Sequence, residues 1–254
     1  MPRLERARPT DCVTTEAVTM DRLATGDLKA RGFLANASNH TLLAQVGPRG
    51  WGMHAIYKPR GGERPLWDFP EGTLCQREVA AWLVSEFLGW RIVPPTVLRD
   101  GPMGQGSVQL FIPHDPRIHY FTLVEDSCHD RELARIATFD LLVNNADRKA
   151  SHILLGEDAR LYGIDHGVCF HAQTKLRTVV WDLGAAELEA SWHSDLARLA
   201  DALADPTHEL AGEISCLLSP REVGVLELRA KALAKLEALP NLDEHRRPYP
   251  WPPL

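Results

Sequence analysis

Two aspartates, Asp147 and Asp165, stand eighteen positions apart in the 254-residue chain, each where a polar loop meets a short apolar hairpin. The hairpin strands are Ile153-Leu154-Leu155 and Leu161-Tyr162-Gly163-Ile164, turning at Gly156-Glu157-Asp158, and a hairpin brings its two ends together. Carboxylates so placed suit phosphoryl transfer to a hydroxyl. That chemistry needs one carboxylate to orient the acceptor and another to hold Mg²⁺ against the phosphates, because most of the catalysis is positioning and charge neutralisation. His152, five residues after Asp147 at the entry to the first strand, stands as a second metal ligand beside Asp165. A pair of loop aspartates is otherwise a pair of turn or capping residues, and a lone histidine is more often a core hydrogen-bonding group. The spacing and the apolar flanks favour the site.

The elements that must position these residues follow from periodicity. Leu28–Leu34 and Thr41–Val46 predict a hairpin with the polar tip 35–40, and His54–Pro59 a third strand. Apolar positions at helical spacing from Gly72 to Trp90 predict a helix capped at Thr73. Val93–Leu98 and Ser107–Ile112 predict two more strands around the turn-rich Asp100–Gly104. Asp130–Val143 predicts the helix that runs into Asn144-Asn145-Ala146-Asp147-Arg148, a cluster that no helix interior prefers. The stretch Ala185–Leu239 is mostly helical, and Pro248, Pro250, Pro252 and Pro253 cannot continue it. The expected organisation is a polar segment at 1–24, a sheet-rich lobe at 25–113, a helical lobe at 114–240 and a proline-rich tail at 241–254.

Composition narrows the function classes. The apolar fraction is 44%, the charged fraction 24% and the net charge −6, without the basic block that a nucleic-acid partner would require. No apolar run approaches the roughly 20 residues needed to span a bilayer, and Met1–Thr15 has neither signal-peptide nor stop-transfer character, so a cytoplasmic protein without integral membrane contact is expected. Five scattered cysteines without C-x-x-C spacing predict reduced thiols and no zinc knuckle. The histidines show no H-E-x-x-H grouping, and Ser38 lacks the G-x-S-x-G context of a serine hydrolase.

The run Asp147-Arg148-Lys149-Ala150-Ser151-His152-Ile153-Leu154, followed by Ile164-Asp165-His166-Gly167, resembles the D-R-H-x-x-N-I-L and I-D-F-G motifs of the phosphatidylinositol 3- and 4-kinase family. Over residues 25–240 the chain resembles actinobacterial proteins of that class, and Asn145-x-Asp147-Arg148 is also similar to secretory-pathway and spore-coat kinases. The resemblance implies an α+β, two-lobed kinase-like fold, with an antiparallel sheet lobe and a mainly helical lobe. It implies ATP with Mg²⁺, or Mn²⁺, as cofactors and an unidentified small-molecule or protein acceptor. It further implies Asp147 as the acceptor-orienting carboxylate, Asp165 as the main metal ligand and His152 in the ligand position usually held by Asn. Lys58 becomes the strand lysine on the α- and β-phosphates, with Glu78 as its ion-pair partner. Ser38 and Asn39 take the place of the phosphate loop, and Gln109 and Phe111 that of the hinge over the adenine. Two features depart from the family: His occupies positions 152 and 166 where Asn and Phe are usual, and no basic segment follows Gly167 to grip an inositol headgroup. The implied activity is phosphoryl transfer from ATP to a hydroxyl. A nucleotide-binding pseudokinase, an AMP transferase and a metal hydrolase remain as alternatives.

Overall fold

Leu42, Ala44 and Val46 are buried while Leu43 and Gln45 between them are half-exposed, which is the two-residue period of a strand with one face on a core. The computed structural model describes residues 9–34, 39–47, 52–241 and 247–254, with the side chains of 9–15 left aside. Its contacts divide the chain into two compact units, residues 1–64 with 95–111 and residues 65–94 with 112–254.

The first unit is a five-stranded antiparallel sheet of order β1-β2-β3-β5-β4, built from β1 (Leu28–Phe33), β2 (Leu42–Val46), β3 (Met53–Pro59), β4 (Thr96–Gly101) and β5 (Gly104–Leu110). Tyr57 pairs with Leu42 on one side and Val108 on the other, and these three side chains lie in the sheet's buried cluster with Ala44, Ala55 and Val97. The last two strands lie closer to their hairpin than Val93–Leu98 and Ser107–Ile112 would put them. Pro94 and Pro95 carry no N–H for a ladder, which delays β4 to Thr96. At the other end Gly104, at φ +90°, lets the strands run up to a two-residue turn at Pro102-Met103. The expected polar segment 1–24 holds a helix, α1 (Pro9–Thr25). Leu23 is fully buried in the sheet's cluster, and the Arg99 guanidinium donates to the carbonyl oxygens of Leu23 and Gly26 at 2.9 and 2.8 Å, closing the helix end.

The second unit contains α2 (Leu74–Phe87), α3 (Tyr120–Leu123), α4 (Asp130–Val143), the hairpin β6 (Ile153–Leu155) and β7 (Leu161–Gly163), α5 (Ala190–Ala204), α6 (Glu209–Ser215) and α7 (Pro220–Leu233). Residues 65–94 belong here and not with the sheet, because α2 buries Ala80, Ala81, Val84 and Leu88 in one cluster with Leu133, Ile136 and Phe139 of α4 and Leu226 of α7. Arg77 on α2 is 1% exposed and pairs with Glu222 on α7 at 2.7 Å, so the packing also encloses a charge pair. Glu222 in turn closes a capping box with Ser219 at the start of α7. Among the described residues no helix is long and apolar enough to cross a membrane.

Candidate active site

The apolar face of α4 stops at Val143, and Asn144 turns the chain out of the helix in the left-handed conformation, φ +53°, which asparagine tolerates. Its side chain spans the segment that follows the second acidic motif: Nδ2 donates to the carbonyls of His171 and Gln173, at 2.9 and 2.7 Å, and Oδ1 accepts from the N–H of Lys175 at 2.9 Å. Asn145 is fully buried. Its Oδ1 accepts from the N–H of Asp147 at 2.9 Å, an Asx turn that sets the direction of that aspartate, while its Nδ2 donates to Asp140 on α4.

Arg148 ties the two motifs together. It is fully buried, and its Nε and Nη2 fork onto the carboxylate of Asp140 at 3.0–3.1 Å. Its Nη1 donates to the carbonyls of Ile164, at 2.7 Å, and His152, at 3.2 Å, and its Nη2 lies 2.7 Å from Nε2 of His166. The guanidinium carries no acceptor, so this His166 nitrogen must accept, and the imidazole is neutral with its proton on Nδ1. One cation thereby holds both neighbours of Asp165, Ile164 by its carbonyl and His166 by its ring. The aspartate itself sits at φ +60°, a conformation rare outside glycine and tolerated best by Asn and Asp.

Glu78 Oε2 accepts from the N–H of His166 at 2.9 Å, so the buried carboxylate of α2 braces the Asp165-His166-Gly167 turn. His152 ends a 3-10 turn (Ala150–His152), and its Nε2 lies 3.4 Å from Oδ2 of Asp165. Lys149 Nζ lies 3.3 Å from Oδ2 of Asp147. Burial pushes the Asp147 carboxyl above its ordinary value; Lys149 and Arg177 pull it down and the charge of Asp165 pushes it up. A carboxyl whose proton affinity is raised by a neighbouring carboxylate fits a bridging or adjacent cation, which would relieve the repulsion. The donor set suits a divalent ion, since neighbouring ligands of an octahedral ion with bonds of about 2.1 Å stand roughly 3 Å apart. Among the described residues no group of three or more His, Cys, Asp or Glu converges on a metal position, so phosphate oxygens and water would complete the shell.

The imidazole has a constraint of its own. His152 Nδ1 accepts from the N–H of Lys149 at 3.3 Å, which in the neutral ring leaves the proton on Nε2, aimed at Asp165. Ligation through Nε2 would need the other tautomer and the loss of that long bond.

Asp147, His152, Asp165 and Glu78 thus come together in the helical unit. Lys58, Gln109, Phe111 and Asn39 belong to the sheet unit. Lys58 is half-buried on β3 and pairs with Ser107. Gln109 spends its side-chain amide on Thr96 Oγ1 at 2.9 Å and sits in the ladder between Ile56 of β3 and Thr96 of β4. Phe111 is the last residue before the chain passes into the second unit. Asn39 Oδ1 accepts from the N–H of Arg64 at 2.8 Å, and Ser38 lies outside the described residues. Sequence reasoning did not single out Asp140, and it met Asn145 and Arg148 only as motif residues, without the turn and the bracing they provide. A charged residue in the last turn of a helix looks like a solvated one unless the arginine that follows is taken as its partner.

The family of phosphatidylinositol 3- and 4-kinases matches residues 97–185, the stretch from β4 to just past the second acidic motif. Protein Rv2133c of Mycobacterium tuberculosis is 41% identical over 266 residues, covering 91% of this chain and 93% of that protein. Phosphatidylinositol 4-kinase gamma 4 of Oryza sativa subsp. japonica is 30% identical over 192 residues; the match takes in 65% of this chain and 32% of that protein, about a third of its length. Among solved structures, the Golgi casein kinase with Mn/ADP bound superposes with a TM-score of 0.54 at 14% identity, over 95% of this chain and 81% of that one. A second structure of the Golgi casein kinase gives 0.51 at 14% identity, over 92% and 80%. At such identity the likeness is one of fold, and the fold is kinase-like: a five-stranded antiparallel sheet and a helical lobe.

Proposed function

We propose, for a chain that belongs to the phosphatidylinositol 3- and 4-kinase-like family together with the mycobacterial Protein Rv2133c, that it transfers the γ-phosphoryl group of ATP to a hydroxyl of a small-molecule or protein acceptor. The observation that carries this reading is the convergence of Asp147 with the Asp165–His152 pair, 3.4 Å between Oδ2 and Nε2, on a backbone held by one buried arginine. Asp147 orients the acceptor hydroxyl and takes its proton as the bond to phosphorus forms. Lys149 and Arg177 favour the ionised form of that carboxylate, against its burial. Asp165 and His152 would hold Mg²⁺ or Mn²⁺, which when bound neutralises charge on the transferring phosphoryl group. Glu78 keeps the turn that carries Asp165 in place. Lys58 is assigned to the phosphates, and Ser38, Asn39, Gln109 and Phe111 to the remainder of the nucleotide, by their order along the family's chain.

A second reading, nucleotide binding without transfer, is favoured by one observation: the Lys149 N–H holds His152 in the tautomer that does not ligate through Nε2. The test is a thermal-shift and calorimetric titration of ATP with Mg²⁺ or Mn²⁺ against the wild type and Asp165→Ala, followed by product mass with candidate acceptors. ATP at a hundred times its dissociation constant should add roughly 2.7 kcal/mol of stability. Metal-dependent stabilisation that the variant loses supports the site, and a product heavier by a phosphoryl group supports transfer. An acceptor gaining AMP would instead assign the AMP-transferase reading, and stabilisation without turnover the nucleotide-holding one. Absence of stabilisation by any nucleotide would sink both the transfer and the holding readings.

A further inference from the structure

Residues 247–254 return to the catalytic loop. The Pro253 carbonyl accepts from the N–H of Ala150 at 2.8 Å, between Asp147 and His152. Five residues earlier, the Pro248 carbonyl accepts from the N–H of Thr178 at 3.1 Å and from Nε1 of Trp181 at 3.4 Å. Arg247 reaches Asp182 at 3.7 Å, the carboxylate to which the Tyr120 hydroxyl donates at 2.9 Å. Ala150 and Thr178 are buried, at 0% and 3% exposure, so with these residues lifted away their N–H groups would lose their partners beside the site.

The two anchor points lie on two segments already stitched together. Arg148 N–H donates to the Arg177 carbonyl at 3.0 Å, and Val179 N–H to the Arg148 carbonyl at 3.1 Å, a parallel bridge of residue 148 with residue 178. Asp147 is the neighbour of that bridge on one side, and Ala150 begins the turn that ends at His152 on the other. We infer that Arg247–Pro253 is a positioning strap: by holding Thr178 and Ala150 at once it sets where Asp147 and His152 stand. This rests on the reading of those two residues as the site. The composition suits the part. Pro248, Pro250, Pro252 and Pro253 have no N–H to leave unsatisfied and favour an extended form before docking, so the segment accepts hydrogen bonds from the body at little ordering cost. Pro250 is buried while Tyr249 and Trp251 face outward, so one small residue seats the middle of the strap. Apart from the Arg247 guanidinium, which is taken up by Asp182, the strap holds the loop through carbonyl oxygens, which makes its residues positioning residues and not catalytic ones.

The test is native-state amide hydrogen exchange on the full chain, which needs no activity. If one lifting event breaks both bonds, the Ala150 and Thr178 amides open with the same free energy and at lower denaturant than the α4 amides of Ile136 and Leu142. Unequal openings at the two amides, or openings only with α4, would overturn the strap. Pro250→Asp in the full chain places a charge in the strap's seat. It should speed exchange at Ala150 and Thr178 by one common factor, leave α4 unchanged, and weaken Mn²⁺ binding in the presence of ATP on the order of tenfold, as losses in a supporting shell do. ATP hydrolysis, where present, should lose kcat with the KM for ATP unchanged. Unchanged exchange at both amides would overturn the inference, and if the variant unfolds the wild-type openings decide alone. The two readings separate cleanly: shared opening without nucleotide binding keeps the strap and removes the phosphotransfer, whereas nucleotide binding with unequal opening does the reverse.

Discussion

Arg148 and Asp140 form a forked ion pair with both side chains fully buried, the guanidinium 3.0 Å from the carboxylate, at the centre of the candidate site. Such a pair is a weak source of net stability but costly to halve, because the partner left behind is a buried unpaired charge. Arg148→Ala should therefore destabilise the chain by about 3–5 kcal/mol. Arg148→Lys should recover little of that, since a point charge cannot reach Asp140, Ile164 and His152 together. The apolar double replacement Asp140→Leu with Arg148→Met should lose less than Arg148→Ala alone. Urea unfolding midpoints of the three variants check the order, and a double variant no better than the single one would refute the argument.

Asp147 predicts opposite signs for stability and activity. Burial raises its folded-state proton affinity above the unfolded value of 3.8, so ionisation works against the fold. Its stabilising contribution is present below the unfolded value and is lost as pH rises through the higher folded value. Asp147→Asn should then match the wild type in acid and become the more stable of the two above the folded value. Phosphoryl transfer by the same variant should fall by roughly 10²–10⁴, the usual worth of a general base. Unfolding midpoints across pH 3–7 check the first half; an Asn variant less stable than the wild type at neutral pH would contradict it.

The helix Asp130–Val143 and the polar loop after it were legible because both signals are local: a 3.6-residue apolar period and a run that helices reject. The hairpin after His152 was legible for the same reason, and Ile153–Leu155 keeps its predicted bounds. What escaped depends on partners distant in the chain. Helix α2 looks like an insertion in the sheet until Arg77 meets Glu222, 145 residues away. The ends of β4 and β5 were misplaced because Val93 and Ile112 have the apolar character of strands, while the ladder is governed by where Pro95 stops denying it an N–H. The proline tail was legible as a helix stop only, since its role lies in carbonyl oxygens, which every residue possesses.

Glu78 offers a test of how firmly the second motif must be held. Its Oε2 is the acceptor for the buried His166 N–H at 2.9 Å, next to Asp165 in the left-handed conformation. Glu78→Ala leaves that donor without its acceptor and should cost about 1–3 kcal/mol. Glu78→Gln can still present an oxygen and should cost less. If the bracing matters to the site, metal-dependent ATP binding, measured calorimetrically, should weaken in the Ala variant more than in the Gln variant. Equal losses in the two would instead assign the effect of Glu78 to its charge.

His152 offers a test of which ion the candidate site prefers. With Nδ1 engaged by the Lys149 N–H, the Nε2 proton points at Asp165, so a cation taking Nε2 must displace both the proton and the hydrogen bond. Asparagine at this position would present an amide oxygen with no tautomer to change, and Mg²⁺ prefers oxygen. His152→Asn should therefore tighten Mg²⁺ binding in the presence of ATP by roughly an order of magnitude and narrow any preference for Mn²⁺, because imidazole ligation favours later divalent ions. His152→Ala should weaken both ions if the imidazole ligates, and should leave them nearly unchanged if it only orients Asp165. Isothermal titration of each ion with ATP present separates these outcomes. An Asn variant that binds Mg²⁺ more weakly than the wild type would show that His152 works through its hydrogen bond to Asp165, with the metal held by Asp165 and the phosphates alone.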